Sequence, residues 1–381
     1  MAVDRPIMPG ARLGMLGGGQ LGRMFTVAAR TMGYRVLVLD PDPDSPAGAM
    51  ANEHVHAGYL ETTALDRLAT ECAAVSTEFE NVPADALARL ARHCIVRPAR
   101  DAVSPTQNRL REKAFFDSHG LPTVPWAGVS SPVDLKSALT AVGTPSLLKH
   151  ARGGYDGKGQ ARVDFPEAAA DAFTALGEAE CILERRVTLA RELSVIVCRA
   201  SDGAVACYPP GENVHAGGIL STTMLPATVD PAMAERARAI AAATAEALGY
   251  VGVLGVELFV TDDDDILVNE VAPRPHNSGH YTLDASATTQ FEQQVRLLCG
   301  FGPGATDLLS PVAMVNLLGD LWRDGDPEWS RVFATPGANL HLYGKREPRP
   351  GRKMGHINVL ATDAATALQR ARAVHAELAG N

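Results

Sequence analysis

Over the first hundred residues short apolar runs alternate with helical patterns, and few folds accept that alternation. "RLGMLG" predicts a strand, "QLGRMFTVAARTMG" a helix and "YRVLVLD" a second strand. "ALDRLATEC", "AAVST", "PADALARLARH" and "CIVRP" continue the series. Strands joined by helices must run parallel, because a crossover of this length returns the chain to the same end of the sheet. At 381 residues the chain is too long for one ordinary core. The pattern divides it into 1–122, 123–189 and 190–381. The first region is α/β and ends with a helix around "TQNRLREKAFFDSHG", after which "LPTVPWAGVSSP" reads as a linker. The second is a small α+β unit of "PSLLKHA", "QARVDF", a helix from about Pro166 and "CILERRV". The third opens on a hairpin, "RELSVIVCRA" with "AVACYPP". It continues through a helix at 231–248, the runs "VGVLGVELFV" and "ILVNEVAP", and a helix at 288–299. It closes with short strands and an alanine-rich helix.

A net charge of −9 argues against nucleic acid or a membrane surface as a general partner. No apolar run is long enough to span a bilayer, and "MAVDRPIMPGARLG" is not expected to be a signal peptide. The six cysteines are scattered without a C-x-x-C pair, which predicts reduced core thiols and a cytoplasmic protein.

Two glycine clusters carry the chemistry. Gly17, Gly19 and Gly22 spell G-x-G-x-x-G between a strand and a helix, with Asp40 ending the next strand. That spacing fits a dinucleotide fingerprint, another phosphate site at a helix N-terminus, or a tight turn. "ARGGYDGKGQ" is not a Walker A motif, since Arg152 and Gly159 stand where that motif needs glycine and Ser or Thr. It predicts a β-hairpin cover over phosphates, with Lys149 projecting toward them.

Glu257 and Glu270 each interrupt an apolar run, and the two runs are separated by the polar turn "DDDD". On an antiparallel pair, two such carboxylates require a cation, and oxygen ligands supplemented by phosphate suit Mg²⁺. Asn269 stands beside them. In "RPHNSGH", Arg274, His276, Asn277 and Ser278 combine one fixed charge with neutral hydrogen-bonding groups, which suits a carboxylate or bicarbonate. "GKREPRPGRKMGH" is either a solvated turn or a phosphate clamp through Lys345, Arg352 and Lys353.

Taken together, "GGGQLGRM", "STEFENVP", "PTQNRLREKAFF", "GGYDGKGQ", "NVHAGGIL", "GYVGVLGVELFV", "NEVAPRPHNSGH" and "RPGRKMGHIN" resemble the ATP-grasp superfamily. Within it they resemble the N5-carboxyaminoimidazole ribonucleotide synthetases, over nearly the whole chain. The resemblance implies a parallel-sheet N-terminal domain, a small lid and a larger mixed-sheet domain with C-terminal strands. It implies MgATP (Mn²⁺ is a possible substitute), bicarbonate and 5-aminoimidazole ribonucleotide as ligands, carboxyphosphate as intermediate, and a homodimer.

Residue by residue, it implies phosphate and nucleotide contacts at Arg109, Lys149, His215 and the loop Gly154, Tyr155, Asp156, Gly157, Lys158, Gly159 and Gln160. The backbone of Glu184, Arg185, Arg186 and Val187 would read adenine and Glu192 the ribose; Glu257 and Glu270 would hold the metal, with Asn269 beside it. The second substrate would meet Gly19, Gln20, Leu21, Glu80, Tyr155, Asp156, Arg274, His276, Asn277, Ser278, Lys345 and Arg352. Asp156, Arg274, His276 and Lys345 are the expected catalytic residues, with Asp156 as base toward the reacting amine. Lys353 is ranked below Arg352. The first glycine turn then offers its amides to the ribonucleotide phosphate, not to a nicotinamide cofactor. "LERRVTLAREL" departs from the pattern, with two arginines where smaller or neutral residues are usual. Asn277-Ser278 stands where formate-dependent glycinamide ribonucleotide transformylases tend to carry Asp-Thr.

Overall fold

The apolar runs of the first region form β1 (Arg12–Leu16), β2 (Arg35–Asp40), β3 (Glu53–His56), β4 (Ala74–Thr77) and β5 (Ile95–Val96). They pair in parallel in the order β3-β2-β1-β4-β5. The structure, a computed structural model, describes residues 5–153 and 159–380. Buried on both faces, the central strands read as continuous apolar runs. Leu13, Met15, Val36 and Val38 pack against Phe25 on one side, while Leu16, Leu37, Leu39 and Val75 enter a second core with Leu65 and Leu87. β3, "EHVH", lacks such a run, so hydropathy does not mark it as a strand; it pairs at the sheet edge on one side only.

The second sheet holds β6 (Trp126–Val129), β7 (Ser146–His150), β8 (Gln160–Val163) and β9 (Cys181–Arg185), antiparallel in the order β6-β9-β7-β8. Here the linker expectation is corrected. "WAGV" pairs with β9 as β6, and Ser131 caps the helix Pro132–Val142 by accepting from the Asp134 amide at 3.2 Å. The prolines before β6 lend their carbonyls to both neighbouring sheets: Pro125 accepts from Arg185 N at 2.8 Å and Pro122 from Val268 N at 2.6 Å.

The third sheet comprises β10 (Leu189–Arg199), β11 (Val205–Cys207), β12 (Gly211–Ala216), β13 (Ile219–Leu225), β14 (Gly252–Thr261), β15 (Ile266–Ala272), β16 (Val312–Leu318), β17 (Ala338–Leu342) and β18 (Lys353–Leu360). Its order is β15-β14-β10-β12-β13-β16-β18-β17, with β11 on β10, and every pair is antiparallel. The predicted β10–β11 hairpin is present. β12 and β13 are strands that the sequence reading did not name; "GENVHA" and "ILSTTML" are too polar to stand out by hydropathy.

The helix Pro231–Ala247 covers one face of this sheet through Met233, Ala237, Ala241 and Ala245. The helix Gln290–Leu298 is shared between domains: Val295 and Leu298 enter the core of the first sheet, and Leu297 packs with Ile196 and Val253 of the third. Arg97 caps its C-terminus by donating to the Leu297 carbonyl at 2.7 Å. Among the described residues, no helix is long and apolar enough to cross a membrane.

The turn from β1 into the helix Gln20–Thr31 is drawn tight. A Cβ on Gly22 would lie 2.6 Å from the Gly17 carbonyl oxygen, a backbone atom that cannot swing aside. Gly22→Ala is therefore expected to destabilise the protein by about 1–3 kcal/mol through overpacking. A thermal melt checks this, and an unchanged midpoint would contradict the close approach.

Candidate active site

The three domains meet around a cleft of about 470 Å³. Its floor is the β14–β15 pair, where Glu257 stands directly opposite Glu270. The register slips immediately after this pair, so that Leu258 faces Val268 and Asn269 is the extra residue of a bulge. The bulge breaks the two-residue alternation, and the sequence neighbours Asn269 and Glu270 both line the cleft.

Basic side chains surround these carboxylates. Arg109, at the start of the helix Arg109–Ser118, reaches Glu270 Oε2 with Nη1 at 3.1 Å. His276 Nε2 lies 3.1 Å from Glu257 Oε1. Burial alone would raise the Glu257 pKa, but His276, then His215 and Lys353, hold it well below the usual carboxylate range. Glu257 is thus ionised at neutral pH, as an oxygen ligand for a divalent cation must be. Among the described residues no group of three or more His, Cys, Asp or Glu side chains forms a metal site. Two carboxylates completed by phosphate oxygens and water fit Mg²⁺, which rarely uses an all-protein cage.

The nucleotide candidates lie on the lid side. Lys149 lines the cleft from the end of β7, and its ammonium sits 2.5 Å from Glu184 Oε2. Lys113, almost wholly buried, approaches the other Glu184 oxygen at 3.6 Å and donates to the Asn269 carbonyl at 2.9 Å. Burial opposes ionisation of Glu184, yet Lys149 and Lys113 outweigh it and lower its pKa. The Glu184 carboxylate therefore anchors two lysines, and it is not among the groups lining the cleft. Arg185 and Arg186 require a partial correction. Their side chains bind within the lid, to the Val142 carbonyl at 3.1 Å and Asp164 at 2.7 Å. Their amides donate to Pro125 and Pro145, which removes both donors from adenine recognition. Val187 is likewise absent from the lining.

Glu192 and His215 meet across β10 and β12 at 2.7 Å, a charge contact without good hydrogen-bond alignment, and both line the cleft. Gly154, Tyr155, Asp156, Gly157 and Lys158 lie outside the described residues. At the loop's far end the Gly159 carbonyl accepts from His150, and Gln160 pairs with Lys149. β7 and β8 are thus two arms of a hairpin, not a strand leading into a helix.

On the opposite side Arg274 Nε donates to Glu80 Oε2 at 2.6 Å, and both residues line the cleft. Asn277 also lines it, but its amide is locked in a reciprocal pair with Asn316, at 3.0 and 2.6 Å. Ser278 is buried away from the cleft and meets His276 Nδ1 at 2.8 Å. Ser278 lies off the lining, which corrects the expectation that it contacts substrate directly, whereas Asn277 borders the cleft with its amide paired to Asn316.

The first glycine turn needs a larger correction. The amides of Gly19 and Leu21, expected to meet a phosphate, donate to the buried Glu78 carboxylate, the latter at 3.1 Å. An internal carboxyl group already takes up the amides of this helix N-terminus, and burial raises its pKa. Asp40 accepts from Gly18 N at 2.6 Å and from the Tyr59 hydroxyl at 2.6 Å, so the dinucleotide reading loses its ribose ligand. Gln20 opens the same helix and is not among the residues lining the cleft.

The ranking of the C-terminal cations is reversed. Lys353, first residue of β18, lines the cleft, whereas Arg352 belongs to the preceding turn and folds back to the Glu347 carbonyl at 2.9 Å. Lys345 donates to the Lys353 carbonyl at 2.7 Å and lies over the Tyr343 ring, outside the cleft lining. Sequence reasoning also missed Glu78, Glu112 and Lys113. The last two share the inward stripe of their helix with Phe116, a spacing of three and four residues that marks one face.

A small antiparallel lid sheet with a glycine-rich hairpin, set against a larger antiparallel sheet that carries paired carboxylates, defines an ATP-grasp enzyme. Residues 114–291 match the ATP-grasp domain, 10–107 the ribonucleotide synthetase preATP-grasp domain, and 312–370 the phosphoribosylaminoimidazole carboxylase C-terminal domain. The chain is 44% identical over 356 residues to the N5-carboxyaminoimidazole ribonucleotide synthase of Bacillus subtilis, covering 93% of this chain and 92% of that protein. It superposes on the N5-carboxyaminoimidazole ribonucleotide synthetase of Thermus thermophilus with a TM-score of 0.89 at 42% identity, covering 97% and 99% of the two chains. A structure of the Aspergillus clavatus synthase in complex with ADP and 5-aminoimidazole ribonucleotide gives 0.88 at 31% identity, over 97% and 98%. The chain belongs to the N5-carboxyaminoimidazole ribonucleotide synthase family.

Glu112 makes the site's charge balance measurable. Burial, reinforced by Glu270, pushes its pKa from 4.5 up to about 8, while one oxygen accepts from Val271 N at 2.9 Å. The folded state holds this proton more tightly than the unfolded state does. The stabilisation is complete below about 4.5 and is lost as the pH rises through about 8. The stability difference between wild type and Glu112→Gln should therefore shrink, then turn against wild type, as denaturant midpoints are compared from pH 5 to pH 9. A difference independent of pH would contradict a buried, protonated Glu112.

Proposed function

We propose that this chain catalyses the ATP-dependent carboxylation of 5-aminoimidazole ribonucleotide with bicarbonate, giving N5-carboxyaminoimidazole ribonucleotide, ADP and phosphate in purine biosynthesis. The observation that carries the reading is the direct cross-strand pairing of Glu257 and Glu270 beside Arg109, in a cleft that Lys149 and Gln160 border from the lid hairpin. Glu257 and Glu270, with Asn269 beside them, would hold Mg²⁺, or Mn²⁺ in its stead. When bound, the ion supplies neutralising charge to the triphosphate tail.

Arg109, Lys149 and the loop 154–160 bind the phosphates in this reading. The segment 184–187 offers its remaining backbone groups to adenine, and Glu192 and His215 take the ribose side. Arg274 and His276 orient bicarbonate, whose oxygen displaces ADP from the γ-phosphoryl group to form carboxyphosphate. The substrate amine then takes the carboxyl carbon, phosphate leaves, and Asp156 accepts the amine proton. Lys353 joins Arg274 and Glu80 on the second-substrate side, with Lys345 supporting it from behind. The cleft must exclude water from the mixed anhydride, because hydrolysis would waste each turnover. A homodimer and a cytoplasmic location belong to the same reading; the free cysteines suit a reducing compartment.

ADP release should depend on bicarbonate and rise when 5-aminoimidazole ribonucleotide is added. Glu270→Gln should lower that release on the order of 100-fold or more with the circular dichroism spectrum unchanged, as expected when charge stabilisation at the reacting phosphoryl is removed. Wild-type turnover in this variant would refute the metal assignment. Lys353→Ala is expected to raise the KM for the aminoimidazole nucleotide well beyond the effect of Arg352→Ala. The opposite order in steady-state kinetics would show that the inward-facing cation is the other one.

A further inference from the structure

We infer that Gln290 is a positioning residue that sets His276 for its work in the cleft; the inference rests on the reading of His276 given above. His276 belongs to an irregular stretch between Pro275 and the short helical turn Asn277–Gly279, where no β-strand pairs with its backbone. The Gln290 side chain takes the place of that missing strand. Its Oε1 accepts from the His276 amide at 3.0 Å, and its Nε2 donates to the His276 carbonyl at 2.9 Å. The same Nε2 meets His280 Nδ1 at 3.0 Å. An amide N–H needs an acceptor and a carbonyl needs a donor, so the pair of contacts fixes which way the glutamine amide points.

Gln290 is fully buried, with its own backbone N–H on Thr282 Oγ1 at 3.0 Å. From this mooring the imidazole reaches Glu257 at 3.1 Å and Ser278 at 2.8 Å. It is seated against bare backbone, since a Cβ on Gly255 would stand 2.5 Å from the His276 Cβ. The helix that begins at Gln290 is itself referenced to the first sheet, through Gln294 donating to Ser76 Oγ at 3.0 Å. His276 is thus located relative to the helix shared by both domains, and not by strand pairing of its own irregular stretch.

A displacement of about 1 Å in a reacting constellation costs up to two orders of magnitude in rate. The test is a double-mutant cycle of Gln290→Met and His276→Ala, with kcat and KM measured for bicarbonate and for ATP. Gln290→Met keeps the side-chain length and removes the hydrogen bonds. It should lower kcat about tenfold or more, leave the KM for ATP within about twofold, and cost less than about twofold in the His276→Ala background. If Gln290→Met does not accumulate as folded protein, Gln290→Asn, too short to span both groups, enters the same cycle with the same expectation. A wild-type kcat, or a loss undiminished in the His276→Ala background, overturns the positioning role alone. Wild-type activity of His276→Ala would overturn the reading of the site beneath it.

Discussion

Two acidic side chains face each other across one rung of a β-ladder, and much of the structure is arranged to make that tolerable. Like charges at a paired position repel, and Glu257, the more buried of the two, has little solvent to relieve it. The compensation comes from distant parts of the chain. Arg109 arrives from the helix that ends the first domain, His276 from the stretch after β15, and Lys353 from the first residue of β18. Each of these groups lowers the cost of the acidic pair only if its own element is docked. The carboxylate pair and the convergence of the domains are therefore one condition seen from two ends.

A second layer of buried ion pairs stands behind that rung. Glu184 lies between Lys149 and Lys113, and Lys113 also reaches the carbonyl of the bulged Asn269. Glu78 occupies the amides of the first glycine turn, and Glu80 holds Arg274. Buried pairs of this kind contribute little net stability once desolvation is counted, but removing one partner strands a charge. Their use here is geometric: Glu184 fixes Lys149 and Lys113, Glu80 fixes Arg274, and Glu78 fixes the glycine turn before any ligand arrives, so that little reorganisation is left for the reaction itself.

How much of this was legible in the sequence depended on whether the signal was local. The parallel first domain followed from the alternation of apolar runs with helices, and the β10–β11 hairpin from its turn. Glu257 and Glu270 were recognisable because a lone acid in an apolar run is costly anywhere. β6, β12 and β13 escaped because their residues are polar or proline-flanked, and only their partners make them strands. The Glu78 contact was invisible for a related reason. Nothing in "GGGQLG" tells whether its amides will meet a ligand phosphate or a carboxylate about sixty residues away. Lys353 and Arg352 are adjacent cations that look alike in sequence, and only the start of β18 turns the first toward the cleft and leaves the second in the preceding turn.

The sequence by itself determined the class of the elements with a local apolar signal, the chemistry available and the family, since these rest on composition and on spacing along the chain. Only the tertiary structure decided which polar groups were already spent on one another and which faced the cleft. The physical reason is that a hydrogen bond or ion pair is chosen by proximity and burial in three dimensions. A buried donor must find a partner somewhere, and the fold, not the order of residues, determines which one it meets.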